Sequence, residues 1–221
     1  MTVPPTDSST VEGVRSVPAG GEAAGRPLRI LTLVGSLRRN SWNRRLALAA
    51  KSLAPPGVEV VLWERLTELP HYNEELEHAP GPAVEELRAE ARRADALLLV
   101  TPEYNGAPPS ALKNAIDWLS RPAGAAPIAG KPAAVTGGSV SSFGALWAQQ
   151  VARRALMIAG ARPLERELPV GKIDQRFSGE ELADEATAQA LRELLRELAE
   201  AARSEGSEPT FASTTPGRRE A

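Results

Sequence analysis

Three short stretches of this chain combine glycine with polar, charged or aromatic residues in a way that suits a ligand better than a core. The first is Gly35-Ser36-Leu37-Arg38-Arg39-Asn40-Ser41-Trp42-Asn43, which lies between an apolar run and a helical pattern. A helix N-terminus presents unpaired N–H groups and the positive end of a dipole, and both favour a phosphate. Ser36 and Ser41 add hydroxyls, Asn43 an amide, and Arg38 a charged fork matched to phosphate oxygens. The stretch is neither G-x-x-x-x-G-K-[ST] nor G-x-G-x-x-G, so one terminal phosphate fits it better than two bridged ones. The competing reading is an ordinary hydrophilic turn in which Ser41 caps the helix.

The second stretch is Thr101-Pro102-Glu103-Tyr104-Asn105-Gly106-Ala107-Pro108-Pro109. Pro102 ends an extended segment with a fixed φ and no donor, and Pro109 can open the next helix at its first turn. Backbone amides held in such a turn can bond the edge of a flat heteroaromatic ring, and Tyr104 can lie against it. The third stretch, Gly137-Gly138-Ser139-Val140-Ser141-Ser142-Phe143-Gly144, has the glycine content that lets a ligand come close to the backbone.

Other candidates fare worse. The third stretch is not a G-x-S-x-G nucleophile elbow, and no histidine follows it to complete a hydrolase triad. His71 and His78 match no zinc or iron spacing and are expected at the surface, so no metal site is expected. Lys113 and Asp117 stand one helical turn apart and are expected to pair structurally. Trp118 is expected in the core or at a subunit boundary.

The elements that must hold these stretches alternate. Strands are expected at Leu28–Val34, Val58–Trp63, Asp95–Thr101 and Lys131–Thr136, with a weak one near Arg162–Leu168. Helical patterns cover Asn43–Leu53, Pro82–Arg93, Pro109–Ser120, Gly144–Ala159 and about Asp184–Arg203. Strands apolar on both faces belong in a parallel sheet covered on both sides by helices. The expected fold class is therefore α/β: a three-layer α/β/α sandwich on a five-stranded parallel sheet, in the flavodoxin-like order 2-1-3-4-5. Such sheets bind ligands at the carboxyl ends of their strands, which directs attention to the loops after strands one, three and four.

Composition narrows the function. The 221 residues carry 26 basic and 28 acidic side chains, a net charge of −2 that argues against a nucleic-acid partner. The absence of cysteine excludes disulfides, thiolate metal sites and a cysteine nucleophile. No run approaches the length of a membrane span and no apolar leader is present, so a cytoplasmic protein is expected. Residues 1–26 and 204–221 are rich in Pro, Gly, Ser and Thr and are expected to be disordered arms on either side of one domain at 27–203.

Taken together, Gly35-Ser-Leu-Arg-Arg-Asn-Ser41-Trp-Asn43, Pro102-Glu-Tyr-Asn105, Leu112-Lys-Asn-Ala-Ile-Asp-Trp118 and Lys131-Pro132 resemble the NADPH-dependent FMN reductase family, which includes bacterial quinone, chromate and azo-compound reductases. The resemblance implies a flavodoxin-like domain holding FMN non-covalently. It places Ser36, Arg38, Ser41, Trp42 and Asn43 around the phosphate. Pro102, Glu103, Tyr104 and Asn105 would meet the ring and ribityl chain, with Gly138 and Ser139 at the far edge. It implies NADPH or NADH as electron donor and a quinone, flavin or similar small molecule as acceptor. It also implies a homodimer or homotetramer, with Trp118 and Arg121 as candidates for the boundary. The cofactor carries the chemistry, so no dedicated acid–base side chain is expected. The alternative is a flavodoxin-like electron carrier without enzymatic activity; flavodoxins are strongly acidic and lack an arginine in the phosphate loop.

Overall fold

The computed structural model describes residues 26–204. Apart from Arg26 and Ser204, the two arms expected at the ends lie outside the described residues. Strands β1 (Leu28–Val34), β2 (Val58–Trp63), β3 (Ala96–Val100) and β4 (Pro132–Ser139) form a parallel sheet. Short strands β5 (Arg162–Pro163) and β6 (Leu168–Gly171) complete it, in the order β2-β1-β3-β4-β5 with β6 also on β4. Helices α1 (Trp42–Ser52) and α5 (Glu185–Ser204) cover one face, and α2 (Pro82–Arg93), α3 (Ser110–Leu119) and α4 (Leu146–Ile158) cover the other.

The period of two in a strand builds both cores from the same residues. Leu31, Leu33, Leu97, Leu99, Ala133 and Val135 point to α2, α3 and α4. Their neighbours Ile30, Ala96, Leu98, Val100 and Ala134 point to α1 and α5. All five residues of β3 are buried, as befits the strand between β1 and β4.

The fifth position departs from expectation in detail. One weak strand was expected there, but two share the outer edge of β4: β5 beside Pro132 and Ala133, and β6 beside Thr136 to Ser139. Pro163 and Pro169 have no N–H to give, which confines them to a sheet edge and breaks the ladder between them. An unforeseen hairpin, β7 (Phe177–Ser178) with β8 (Glu181–Leu182), then packs beside α1. Among the described residues no helix is long and apolar enough to cross a membrane, and no group of three or more acids and histidines could hold a metal.

Candidate functional site

The loops after β1 and β3 and the end of β4 meet at the carboxyl edge of the sheet. Gly35 N–H donates to Val100 O at 2.9 Å and Thr101 N–H to Thr136 O at 2.9 Å, which ties the first loop to the second and the second to β4. The Asn43 side chain closes the circuit. Its Nδ2 donates to Gly138 O at 2.9 Å, and its Oδ1 accepts from Gly138 N–H at 2.8 Å.

In the first loop Ser36, Leu37, Arg38 and Arg39 line a cavity of about 200 Å³ with Arg44, Glu64, Leu66 and Thr67. Arg38 and Arg39 are exposed, and Ser36 is half-buried at the base of the loop. Ser41 is buried and serves as the N-cap of α1, accepting from Arg44 N–H at 3.3 Å. Trp42 packs on Phe177, with ring centroids 5.6 Å apart, and beneath the Arg45 guanidinium at 4.5 Å. Of the five residues expected around a phosphate, therefore, Ser36 and Arg38 face the cavity. The side chains of Ser41, Trp42 and Asn43 are engaged with the chain itself. Trp42 and Asn43 still offer their backbone N–H groups, as the first turn of any helix does.

In the second loop Asn105 and Gly106 have φ of 52° and 75°, the pair of left-handed residues that a type I′ turn requires. Tyr104 and Ala107 exchange backbone hydrogen bonds of 3.0 and 3.1 Å across it. Nothing lies within 4 Å of a Cβ built on Gly106, so the outer side of the turn is open. Pro102 is buried beneath the loop. Glu103 turns away from the tip and accepts the Ala148 N–H at 3.1 Å, capping the first turn of α4.

The third stretch corrects the sequence reading. Gly137, Gly138 and Ser139 belong to β4, in register with Pro169, Val170 and Gly171 of β6, and not to a loop. Their lack of side chains answers to the protein's own packing. A Cβ on Gly137 would sit 1.9 Å from Thr101 O, and one on Gly138 would sit 2.4 Å from Ile173 Cδ1. The glycines therefore bring strands and the following turn together. Ser139 shares a 2.8 Å hydrogen bond with Ser141.

Each of the three rim segments nevertheless exposes large apolar side chains. Leu37 is 56% exposed, Tyr104 53%, Val140 68% and Phe143 57%. Exposed apolar side chains of this size at one rim of a sheet are a feature of surfaces that meet a partner or ligand. The sequence reading missed Arg39, Arg44, Glu64, Leu66 and Thr67 as cavity residues. Glu64 directly follows β2, so the rule that led to loops one, three and four would have found it if applied to strand two.

Other expectations are settled by geometry. Lys113 and Asp117 pair at 2.6 Å, and His71 and His78 are exposed. Trp118 is fully buried within its own chain and donates to Pro70 O at 2.8 Å, so it cannot form a subunit boundary. Arg121 is partly exposed and bonds Glu77 at 3.1 Å and the Tyr72 hydroxyl at 3.0 Å. That tyrosine also donates to Glu77, and this bond raises its pKa above the usual phenol value.

Residues 28–175 match the NADPH-dependent FMN reductase family. An NAD(P)H-dependent FMN reductase of Pseudomonas aeruginosa is 38% identical over 175 residues, covering 77% of this chain and 93% of that one. A quinone reductase of Escherichia coli is 37% identical over 150 residues, covering 67% of this chain and 79% of that one. In structure the chain is similar to FerB, a flavoenzyme NAD(P)H:(acceptor) oxidoreductase from Paracoccus denitrificans. The TM-score is 0.72 with 32% identity, over 80% of this chain and 98% of the other. With the match covering more than half the chain, and relatives this similar over most of their length, the chain belongs to the NADPH-dependent FMN reductase family.

Proposed function

We propose that residues 27–203 form one FMN-binding domain that passes electrons from NADPH or NADH to a quinone, a flavin or a similar small acceptor. One observation carries the reading. Three rim segments are hydrogen-bonded into a single unit that has an arginine-lined cavity on one loop and exposed apolar side chains on all three. Those donors fit the group. Ser36, Arg38 and the N–H groups at the start of α1 would take the phosphate, with Arg39 beside them. Leu37 and Tyr104 would border the ring, and Pro102 and Asn105 would hold the turn against it. Glu103, Gly138 and Ser139 would act through backbone and support; Ser41, Trp42 and Asn43 would shape the loop.

Bound FMN would supply the hydride-accepting and electron-passing chemistry. The residues of the chain supply position and charge. The two histidines, His71 and His78, are exposed and are not among the residues lining the cavity. The open side of Gly106 leaves the ring accessible, which suits a donor and an acceptor that use the same face in turn.

We place the enzyme in the cytoplasm and read it as a homo-oligomer. Phe143, just before α4, and Trp147, Val151 and Ile158 on it recur at intervals of 4, 4 and 7 residues and are all exposed. A stripe of this kind on a helix that already buries its other face is what a second copy would cover. This moves the boundary from Trp118 to α4, with Arg121 at its margin beside Val151 and Ile158.

The test is spectroscopic. The purified protein should carry flavin absorbance, or regain it with FMN, and anaerobic NADPH should bleach it within seconds. A yellow protein indifferent to both nicotinamide donors would mark an electron carrier instead. A protein unable to take up FMN would refute the reading.

A further inference from the structure

We propose that the Arg44–Glu64 ion pair is the end wall of the arginine-lined cavity and selects a flavin with one terminal phosphate over one extended by a second phosphate and a nucleoside. The inference rests on the proposal that this cavity takes the phosphate.

Three observations point to it. The cavity measures about 200 Å³, short of the roughly 300–1,000 Å³ of sites that enclose a whole drug-sized ligand. That volume suits a phosphate and its ester oxygen, and a second phosphate with its nucleoside would have to pass the ion pair. The wall is also built across two elements. Arg44 stands in the first turn of α1 and Glu64 follows β2, and the two meet in a planar two-point contact, Nε to Oε1 at 2.5 Å and Nη2 to Oε2 at 3.2 Å. A fork held at both oxygens fixes the orientation of each group as a single bond does not. The hydrogen bond from Glu64 and its charge raise the pKa of Arg44 above its ordinary value, so the guanidinium keeps its charge beside the carboxylate.

The third observation is the charge balance. The cavity is lined by three guanidinium groups, those of Arg38, Arg39 and Arg44, and by one carboxylate, that of Glu64. Their sum is two positive charges, which matches a terminal phosphate of about −1.5 to −2. A second phosphate reaching past the first would meet the carboxylate, and a like-charge juxtaposition disfavours the wrong ligand. The pair is 40% and 46% exposed, so it contributes little to folding and its removal leaves the fold intact.

Apoprotein titrated with FMN, FAD and riboflavin, followed by flavin fluorescence, tests the proposal. The wild type should prefer FMN to FAD. Glu64→Ala should narrow that preference by about tenfold or more through tighter FAD binding, with riboflavin unchanged, and Glu64→Gln should narrow it less, because the wall stands while its charge is gone. An FMN-to-FAD ratio that stays constant in Glu64→Ala would overturn the proposal. So would an equal loss of both phosphorylated ligands, which would reduce Glu64 to an orienter of Arg44. A wild type that binds FMN no tighter than riboflavin would instead remove the phosphate from this cavity, and the end wall with it.

Discussion

Asn43→Ala separates two roles that the sequence alone left together. Asn43 is 4% exposed, and its amide makes both a donor and an acceptor bond to Gly138, a residue 95 positions away. Truncation leaves the buried Gly138 N–H and C=O without partners, at about 1–3 kcal/mol each, so roughly 2–6 kcal/mol in all. Against a typical domain stability of about 5–15 kcal/mol this is a severe loss. With a urea m-value of roughly 2 kcal/mol per molar, the unfolding midpoint of the apoprotein should fall by about 1–3 M. Tryptophan fluorescence during urea titration without flavin measures it directly. Asn43→Asp should behave similarly, since it sets a carboxylate oxygen against Gly138 O. Were Asn43 a phosphate ligand instead, the apoprotein midpoint would hold and FMN affinity alone would drop; that pattern would refute the latch.

Arg38→Ala should weaken FMN retention by roughly 1.5–3 kcal/mol, about tenfold to 150-fold in Kd, while leaving riboflavin affinity unchanged in the same titration. Gly137→Ala should not fold to the native state, because its Cβ would fall 1.9 Å from a carbonyl oxygen; a native thermal melt from this variant would contradict the packing. Asp95 accepts from Arg26 at 2.6 and 2.8 Å and from Arg29 N–H at 2.7 Å. Burial pushes its carboxyl up, but these bonds outweigh it and hold the pKa below the ordinary value. A depressed carboxylate stabilises the fold above a pH of about 4 and loses that contribution as the pH falls through its folded value. Urea midpoints should therefore decline on acidification, and less steeply in Asp95→Asn. Ile158→Glu combined with Val151→Glu, at positions 74% and 43% exposed, should leave the fold intact and give a monomer in sedimentation velocity; an unchanged assembly would move the boundary elsewhere.

The layers of the fold were legible because β1, β3 and β4 are apolar on both faces, which only a doubly covered parallel sheet accommodates. The loops were legible for the same reason: a carboxyl-end loop is found as soon as its strand is. The fate of individual polar side chains was not legible. Asn43, Ser41 and Glu103 have the atoms a ligand site needs, and those same atoms satisfy helix ends and strand termini. Spacing cannot decide between these uses, because the partner of Asn43 is distant in sequence. Gly137 and Gly138 were read as loop for a related reason: contact with Thr101 and Ile173 inside the sheet removes a side chain as firmly as contact with a ligand would. Two prolines hid the split of the fifth strand, since neither half alone is long enough to show a period.

The Glu103 carboxylate joins two regions 45 residues apart in the chain, the second loop and the start of α4. The residue's backbone runs into the tip that carries Tyr104; its side chain accepts the third amide of the helix that also bears Trp147, Val151 and Ile158. The position of the first turn of that helix and the position of the tip are therefore set together, through a single acid.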